Sequence, residues 1–423
     1  MDSTFVIVGA GLAGARGAQS LREEGFTGRV VLIGDETERP YERPPLSKDY
    51  LMGKSDRKST YVHPSEWYAE QRIELRLGVP VTRINPGEHE VVMADDTRIG
   101  YDKLLLTTGS SPRRLPVAGA DLEEVLYLRR LQDSDRIRAT LQTASRVAII
   151  GAGWIGLETA AAARAAGVEV TVLEGAELPL LRVLGREVAQ TFADLHHKHG
   201  VDLRCGVQVA EITGARGHVS GVRLADGTSV SADAVIIGIG ILPNTQLAET
   251  AGLRVDNGIR VDAQLRSSDP DVFAAGDVAN AFHPLLGKSI RVEHWASAQN
   301  QPLVAAKAML GRVAAYERMP YFFTDQYDVG IEYTGYVEPD GYDQVVFRGD
   351  VATSEFIAFW LDRGRVLAGM NVNVWDVTEP IEAIIRDGNP VDVRRLSDPD
   401  VPLASLVEVN RSRTRGAPLR KVG

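Results

Sequence analysis

The sequence predicts an α/β fold in which two parallel βαβ units are followed by a smaller α+β domain. Two glycine fingerprints of one form lie about 140 residues apart, Gly9-Ala10-Gly11-Leu12-Ala13-Gly14 and Gly151-Ala152-Gly153-Trp154-Ile155-Gly156. Each follows an apolar run and opens a helical stretch. Beyond Pro320 the pattern changes to alternating aromatic and β-branched residues, which is typical of antiparallel strands.

The first fingerprint lies in a complete strand–turn–helix–strand context. The apolar run 5–8 precedes it, and the next apolar run, 30–33, is closed by Asp35. In such a unit the glycines allow a tight turn and close approach to a pyrophosphate, the helix N-terminus offers amides and a positive dipole, and the acid holds ribose hydroxyls. The sequence therefore predicts a dinucleotide site at Gly9, Gly11, Gly14 and Asp35.

The second fingerprint has the same context, which two chance glycine turns would not both have. Residues 147–150 precede it, and the run 170–173 is closed by Glu174. The predicted contacts of a second dinucleotide are Gly151, Gly153, Gly156 and Glu174. A carboxylate at this place bonds both ribose hydroxyls of NADH and repels the 2'-phosphate of NADPH, and no basic residue follows before Arg182. We therefore expect NADH.

The remaining patterns predict three domains. Buried strands are expected at 101–108, 234–239 and 268–277, a hairpin at 221–230 around Asp226-Gly227, and helices near Ala296 and at 381–386. The predicted domains are residues 1–112 with 238–318, residues 113–237, and residues 319–423. The last dozen residues are expected to form a frayed basic tail.

The composition restricts the class of protein. The 423 residues carry a formal net charge of -10, which argues against nonspecific binding to nucleic acid or to an anionic membrane. The chain enters its first strand by Phe5 without a basic or apolar leader and has no apolar stretch long enough to span a bilayer, so we expect a cytoplasmic protein. Cys205 is the only cysteine, which excludes an intrachain disulfide and a Cys-x-x-Cys redox pair.

The loop after the first βαβ unit is rich in proline, with the sequence Arg39-Pro40-Tyr41-Glu42-Arg43-Pro44-Pro45-Leu46-Ser47-Lys48. Proline fixes φ and disfavours helical backbone in the residue before it. We therefore expect a rigid extended path that can hold side chains against a ligand.

Several motifs occur in the order and spacing of one known family. They are both fingerprints, Pro44-Pro45-Leu46-Ser47-Lys48, Tyr127-Leu128-Arg129, Gly238-Ile239-Gly240 with Pro243-Asn244, Gly276-Asp277 and Asp325-Gln326-Tyr327. Together they resemble the NADH-dependent ferredoxin reductases of bacterial oxygenase systems over nearly the whole chain. Single motifs are shared with other flavoproteins that have two nucleotide sites, whereas a second βαβ unit without cysteine, residues 147–174, and the Pro-Pro-Leu-Ser-Lys loop are specific to this group.

The resemblance implies a fold of the glutathione-reductase type, with FAD at the first site and NADH at the second. The positions that match the family's flavin contacts are Ala13, Asp35, Arg43, Lys48, Val81, Arg129, Asp277 and Trp295, and the NADH side adds Ile155, Glu158 and Gly240. Asp277 would take a ribityl hydroxyl, the alternative being a helix cap or a turn aspartate. The helix near Ala296 would direct its N-terminal amides to the pyrimidine edge of the flavin.

Lys48 and Glu158 are the predicted catalytic pair. The resemblance places Lys48 beside flavin N5 and pairs it with Glu158, so that the two position the nicotinamide amide. The alternative is a surface salt bridge, which would stabilise the fold by at most about 1 kcal/mol.

The implied activity is electron transfer from NADH through FAD, one electron at a time, to a [2Fe-2S] ferredoxin that serves a cytochrome P450 or a ring-hydroxylating oxygenase. The alternatives are a reductase of rubredoxin, nitrite reductase or a quinone, and a signalling flavoprotein like the apoptosis-inducing factors, for which the chain lacks a leader and a basic surface. Nucleic acid and membrane partners are not expected. Arg43, Arg291 and Arg312 are candidates for docking the ferredoxin.

Two features are discounted as sites. His196, His197 and His199 diverge in direction on a helix, so we predict no metal there and interpret them as a solvated helix end. Cys205 is interpreted as a small core residue. Phe323 stands where the family often has a second tryptophan over the flavin, so the aromatic face is kept and its hydrogen-bonding edge is lost.

Overall fold

The computed structural model describes residues 3–407. The chain divides into two compact units. The first comprises the chain up to Pro116, Leu126–Thr143 and Ile237–Arg318, and the second comprises Val117–Val125, Ala144–Ile236 and the chain from Met319. The division into three domains stays a prediction, and the predicted basic tail lies outside the described residues.

The elements of residues 3–407 follow in chain order. The helices are α1 (Leu12–Glu23), α2 (Ser65–Glu70), α3 (Leu131–Leu141), α4 (Trp154–Ala165), α5 (Leu181–Lys198), α6 (Gln246–Thr250), α7 (Trp295–Met309), α8 (Thr378–Asp387) and α9 (Val393–Ser397). The strands are β1 (Thr4–Val8), β2 (Arg29–Gly34), β3 (Ile73–Leu77), β4 (Val81–Asn85), β5 (Glu90–Met93), β6 (Arg98–Gly100), β7 (Lys103–Leu106), β8 (Ser110–Pro112), β9 (Val125–Tyr127), β10 (Arg146–Ile150), β11 (Glu169–Leu173), β12 (Asp202–Arg204), β13 (Val209–Ala215), β14 (His218–Leu224), β15 (Ser229–Ser231), β16 (Ala234–Ile237), β17 (Ile241–Pro243), β18 (Ile259–Val261), β19 (Val272–Ala274), β20 (Ala279–His283), β21 (Lys288–Ile290), β22 (Tyr321–Gln326), β23 (Val329–Gly335), β24 (Gln344–Asp350), β25 (Glu355–Asp362) and β26 (Arg365–Val372).

The first unit is built on a parallel sheet with the strand order β19-β7-β1-β2-β3. β1, β2, β7 and β19 are nearly continuous apolar runs because both of their faces are buried, whereas the edge strand β3 alternates with Glu74 and Arg76. Val8 at the end of the central strand lies opposite Ile33 and Leu106. The carboxyl ends of the strands therefore lie at one edge, and Asp35 and Asp277 follow two of them, which is where ligands bind in such sheets.

The second unit contains a sheet in which β12, β11, β10 and β16 are neighbours in that order. β10, β11 and β12 run parallel. Ile150 and Leu173, the last residues of β10 and β11, lie opposite each other, so the fingerprint turn and Glu174 follow at the same edge of the sheet. The predicted hairpin is confirmed, because β14 and β15 pair antiparallel around a turn in which Gly227 has a φ of +89°.

The C-terminal part of the second unit is an antiparallel sheet in the order β22-β23-β26-β25-β24, as the alternating pattern predicts. Side chains from β24, β25 and β26 form one buried cluster with α8 and α9, in which Phe359 and Leu396 have no exposed surface. The α/β fold class predicted from the sequence is thus confirmed.

The proline-rich loop differs from the prediction. Pro44–Ser47 forms a short 3-10 helix, and Arg43 before it has helical dihedral angles, with φ of -87° and ψ of -29°. Proline fits the first positions of a helix because its missing N–H would have no partner there. The side chain of Arg43 is also held by Tyr41 and Glu36, and these contacts outweigh the usual preference of a residue before proline.

None of the helices between residues 3 and 407 is long and apolar enough to cross a membrane.

Candidate functional site

The first fingerprint forms a tight turn at the N-terminus of α1. A Cβ atom on Gly14 would lie 2.0 Å from the backbone oxygen of Gly9, which itself has a φ of +117°. A Cβ on the N-cap residue Gly11, in contrast, would meet no atom of residues 3–407 within 4 Å. The turn therefore leaves room beside Gly11 at the start of α1, where helix amides lack intrahelical partners, and this fits a pyrophosphate, whereas Ala13 is buried.

Two acids follow β2. Asp35, the predicted ribose ligand, is 54% exposed in its side chain and its Oδ2 lies 2.5 Å from Nη2 of Arg130. Glu36 is more buried, and its Oε2 accepts a hydrogen bond of 2.6 Å from the hydroxyl of Tyr41. Asp35 is accessible to a ligand, whereas Glu36, which the sequence did not single out, holds the proline-rich loop.

Two arginines and Asp277 form a cluster at the same edge of the first sheet. Arg43 donates to the backbone oxygen of Arg129, and Nη2 of Arg129 donates to Oδ2 of Asp277 at 2.8 Å. Burial and the neighbouring Arg43 lower the pKa of Arg129. Its Nε is buried and has no hydrogen-bond partner among residues 3–407. A buried donor of this kind needs an acceptor, and a flavin dinucleotide carries many. The residues therefore fit FAD.

Asp277 also lies beside the N-terminus of α7. It follows β19 in a short 3-10 helix, and it accepts a second hydrogen bond from Ser110. Trp295 is the first residue of α7, and its Nε1 donates to Glu42 at 3.2 Å. Asp277 caps neither helix, because His294 is the N-cap of α7 and Ala275 that of the 3-10 helix, so the cap interpretation is wrong. The choice between a turn aspartate and a flavin ligand stays open.

The second fingerprint repeats the geometry of the first. A Cβ on Gly156 would lie 2.0 Å from the backbone oxygen of Gly151, and Gly153 is the N-cap of α4. The carboxylate of Glu174 accepts hydrogen bonds from Ala152 N at 2.7 Å and from Ala176 N at 2.8 Å. These two amides fix a negative charge at the end of β11, in the place where a ribose with two free hydroxyls would bind.

Glu158 lies in α4 and is only 5% exposed. Its Oε1 accepts a hydrogen bond of 2.6 Å from the hydroxyl of Thr324 on β22. A buried carboxylate does not match the surface salt bridge that was the alternative. Lys48 belongs to the first unit and is half-buried, and its pairing with Glu158 stays a prediction.

The other predicted contacts occupy different settings. Val81 begins β4 and is half-buried, Ile155 in the first turn of α4 is 42% exposed, and Gly240 has a φ of +96°. The backbone oxygen of Gly240 accepts a hydrogen bond from Arg113 N. The roles of these residues toward the nucleotides stay predictions.

The interpretation of the histidines as a solvated helix end is wrong for His196. This residue has no exposed surface, its Nε2 lies 2.9 Å from Oε1 of Gln326, and its Nδ1 lies 3.0 Å from the hydroxyl of Tyr327. His199 stacks on the ring of Tyr327 at 3.7 Å, and His197 alone is exposed. The sequence missed these contacts because the hairpin that supplies Gln326 and Tyr327 is more than 120 residues away along the chain.

Cys205 and one docking candidate, Arg291, also differ from expectation, whereas the docking role of Arg312 stays a prediction. Cys205 is half-buried rather than a core residue, and burial together with the charge of Glu174 raises the pKa of its thiol to about 11, so it is not a nucleophile at neutral pH. The side chain of Arg291 is 8% exposed and pairs with Glu293, which excludes it from a docking surface. Arg312 pairs with Glu24.

Three side chains of the second unit bring ligand atoms within 4.8 Å of one another: Glu123, Glu124 and His218. Nδ1 of His218 lies 2.6 Å from Glu124, so a hydrogen bond already accounts for this exposed group. The expected absence of a metal stays a prediction.

The comparison with protein families identifies both parts of the chain. Residues 3–302 match the model of the pyridine nucleotide-disulphide oxidoreductases, and residues 321–407 match the reductase C-terminal domain. Putidaredoxin reductase CamA of Pseudomonas putida is 40% identical over 421 residues, which cover 98% of this chain and 99% of the relative. The ferredoxin–NAD(+) reductase component of the anthranilate 1,2-dioxygenase system of Burkholderia cepacia is 41% identical over 406 residues, 95% of this chain and 99% of the relative.

Solved structures agree with these relatives. The reductase in the covalent putidaredoxin reductase–putidaredoxin complex superposes with a TM-score of 0.93 at 39% identity, covering 97% of this chain and 99% of the other. The ferredoxin reductase for the CYP199A2 system of Rhodopseudomonas palustris gives a TM-score of 0.91 at 37% identity, with coverage of 96% and 99%. The fold is therefore of the glutathione-reductase type, and the chain belongs to the pyridine nucleotide-disulphide oxidoreductases, in the group of the FAD-dependent ferredoxin–NAD(+) reductases of oxygenase systems.

Proposed function

We propose that this protein passes electrons from NADH through FAD to a [2Fe-2S] ferredoxin, which in turn serves a cytochrome P450 or a ring-hydroxylating oxygenase. The observation that carries the proposal is the combination of two complete nucleotide units with a single, half-buried cysteine. Relatives that match nearly the whole chain have names of this activity. Because the sequence offers no dithiol, the electrons must leave the flavin directly.

The first unit supplies the FAD contacts in this proposal. The N-terminal amides of α1 bind the pyrophosphate, Asp35 the ribose, and Asp277 with Arg129 the ribityl chain and the ring. FAD held by these residues would supply a hydride acceptor for NADH and a donor of single electrons. The buried Nε of Arg129 and the room beside Gly11 support these assignments.

The second unit supplies the NADH contacts. α4 binds the pyrophosphate, Glu174 holds the ribose of the adenosine, and Glu158 together with Lys48 positions the nicotinamide amide. The burial of Glu158 and its bond to Thr324 support a fixed orientation of this carboxylate. A cytoplasmic location belongs to the same proposal, since NADH is a nucleotide of the cell interior.

Anaerobic titration with NADH followed by stopped-flow mixing with oxidised ferredoxins tests the proposal. We expect one equivalent of NADH to bleach the flavin and at least one [2Fe-2S] ferredoxin to reoxidise it rapidly. Stimulation of cytochrome c reduction by ferredoxin gives a second, steady-state measure. Reoxidation of the flavin by rubredoxin or a quinone, but by no ferredoxin, would favour the alternative reductases. A long-lived complex with NADH that no acceptor reoxidises would favour the signalling flavoprotein.

A further inference from the structure

A line of buried hydrogen bonds leads away from Glu158 within the second unit. Thr324 Oγ1 lies 2.6 Å from Glu158 Oε1, and Gln326 Nε2 lies 3.4 Å from Thr324 Oγ1. Gln326 Oε1 lies 2.9 Å from His196 Nε2, and His196 Nδ1 lies 3.0 Å from the hydroxyl of Tyr327. Thr324, Gln326 and His196 are each at most 1% exposed.

The three elements that carry this line, α4, α5 and β22, also contact one another through aromatic residues. On β22 the buried positions alternate, so Phe322, Thr324 and Gln326 share one face. The ring of Phe322 packs on Trp154 of α4 at 4.8 Å, and Trp154 also meets Phe192 of α5 edge-on. The polar side chains are therefore held in register by aromatic contacts on the same elements.

The carboxylate at one end fixes the direction of every hydrogen bond. Thr324 Oγ1 donates to Glu158 Oε1, since a carboxylate oxygen accepts and the single hydroxyl proton of Thr324 is directed to it. Its oxygen must then accept from the amide NH₂ of Gln326, which turns the amide oxygen of Gln326 toward His196. His196 therefore carries its proton on Nε2, and its bare Nδ1 accepts from the hydroxyl of Tyr327. Four donors thus point in sequence toward the Glu158 carboxyl group.

The far end of the line is consistent with this direction. Burial lowers the pKa of His196 to about 4, with smaller contributions from His199 and His197, and burial raises the pKa of Tyr327. The imidazole is therefore neutral and the phenol protonated at pH 7. Tyr327 also has a φ of +59° in the turn between β22 and β23, a conformation that is rare for a bulky residue. Its stacking on His199 and its bond to His196 hold it there.

We infer that Thr324, Gln326 and His196 are positioning residues that hold the Glu158 carboxylate in one orientation for the nicotinamide end of NADH. This inference rests on the role of Glu158 in the proposed function. A single unsupported carboxylate on α4 would rotate among several rotamers, whereas a directed line of donors selects one.

A double-mutant cycle with Thr324→Val and Glu158→Gln tests the inference. The measurements are the first-order rate constant of flavin reduction by NADH and the dissociation constant of NAD⁺. We expect Thr324→Val to slow flavin reduction by about tenfold, as for the loss of one hydrogen bond to a charged group. In the Glu158→Gln background, Thr324→Val should slow flavin reduction by less than about twofold, because the carboxylate through which Thr324 acts is already replaced.

Further variants separate positioning from loss of packing. Thr324→Ser keeps the hydroxyl and should retain most of the rate of flavin reduction. The loss of this rate should be largest for Thr324→Val, smaller for Gln326→Met and smallest for His196→Phe. Thr334→Val removes another buried threonine hydroxyl from the same sheet and serves as the matched control. It should leave the rate and the NAD⁺ affinity unchanged.

The outcomes distinguish the inference from the proposed function. Equal losses from Thr324→Val in the wild-type and Glu158→Gln backgrounds would overturn the inference and leave the function intact. No effect of Glu158→Gln on rate or affinity would overturn both the role of Glu158 and the inference. If the wild type reduced no ferredoxin, the proposed function would be wrong. The double-mutant cycle measured in the dissociation constant of NAD⁺ would still test whether Thr324 acts through Glu158.

Discussion

At the scale of single residues, Glu174 decides the choice between NADH and NADPH. Its carboxylate is fixed by Ala152 N and Ala176 N, so it cannot swing away from a 2'-phosphate. We predict that kcat/KM for NADH exceeds that for NADPH by at least about tenfold, which corresponds to about 1.4 kcal/mol of unfavourable charge contact. Glu174→Ala with Ala176→Arg should reduce or invert this ratio. Equal use of both nucleotides by the wild type would refute the assignment of Glu174.

Asp277 is the residue whose loss should affect FAD binding most directly. It neutralises Arg129, which lies against Arg43, and it faces the proposed flavin site. We predict that Asp277→Ala lowers the fraction of purified protein that carries FAD, measured from the ratio of flavin to protein absorbance. Asp121→Ala removes an exposed carboxylate and should keep full occupancy. Full flavin loading in Asp277→Ala would remove this residue from the site.

The residues differ in how well the sequence predicts them. Gly14 and Glu174 follow from local geometry, because a turn, a helix start and a strand end fix their places within a few residues of chain. Glu36 and Thr324 could not be predicted in this way, since their partners are set by tertiary packing. The alternation along β22 marks Thr324 as inward-facing, yet only the fold shows that the inward face meets Glu158.

At the scale of elements, α5 carries a buried histidine whose protonation opposes folding. Burial lowers the pKa of His196 to about 4 in the folded protein, against 6.5 for an ordinary histidine. The unfolded chain therefore binds a proton that the folded chain does not between these values, and stability falls as pH decreases through this range, by up to about 3 kcal/mol. We predict that His196→Gln flattens the dependence of the unfolding temperature on pH between 6.5 and 4.5, measured at saturating FAD. The exposed control His197→Gln should keep the wild-type slope.

A second element prediction concerns the segment after α9. The guanidinium of Arg348 on β24 donates to the backbone oxygens of Leu396, Asp398, Pro399 and Val401, at 2.6–3.2 Å. Burial lowers its pKa, so these acceptors compensate a desolvated charge. Arg348→Met should lower the free energy of unfolding by about 2–4 kcal/mol, because it leaves four carbonyls without this donor. Denaturant titration against Arg394→Met, an exposed arginine of α9, provides the measurement. A loss no larger than in that control would contradict the role of Arg348.

The elements themselves followed from sequence where periodicity was strong. β1, β2, β10 and β11 lie within one residue of the predicted runs, because buried parallel strands are continuous apolar segments. The predicted strand at 101–108 is shorter in the structure, Lys103–Leu106. The prediction of an extended path for the proline-rich loop was wrong. A residue before proline usually avoids helical dihedral angles, but the ion pair of Arg43 and the preference of proline for the first turn of a helix both favour them here.

At the scale of the whole molecule, the net charge of -10 bears on how the protein meets its acceptor. An acidic ferredoxin is repelled by such a charge at long range, so it must approach a local basic surface. Arg291 and Arg312 do not provide that surface alone, because each is paired with a glutamate. Docking must depend on a few exposed charges in water, and such interactions are strongly screened by salt.

We therefore predict that ferredoxin-dependent cytochrome c reduction falls steeply with ionic strength, while flavin reduction by NADH changes little. The Debye length decreases from about 10 Å at 0.1 M to about 3 Å at 1 M salt, which removes steering between the two proteins. Hydride transfer takes place inside a nucleotide site whose contacts are short, so it is screened much less. Stopped-flow and steady-state rates over one salt series measure both steps on the same protein. A parallel decline of the two rates would show that salt acts on nucleotide binding, and the charge-guided encounter would have to be abandoned.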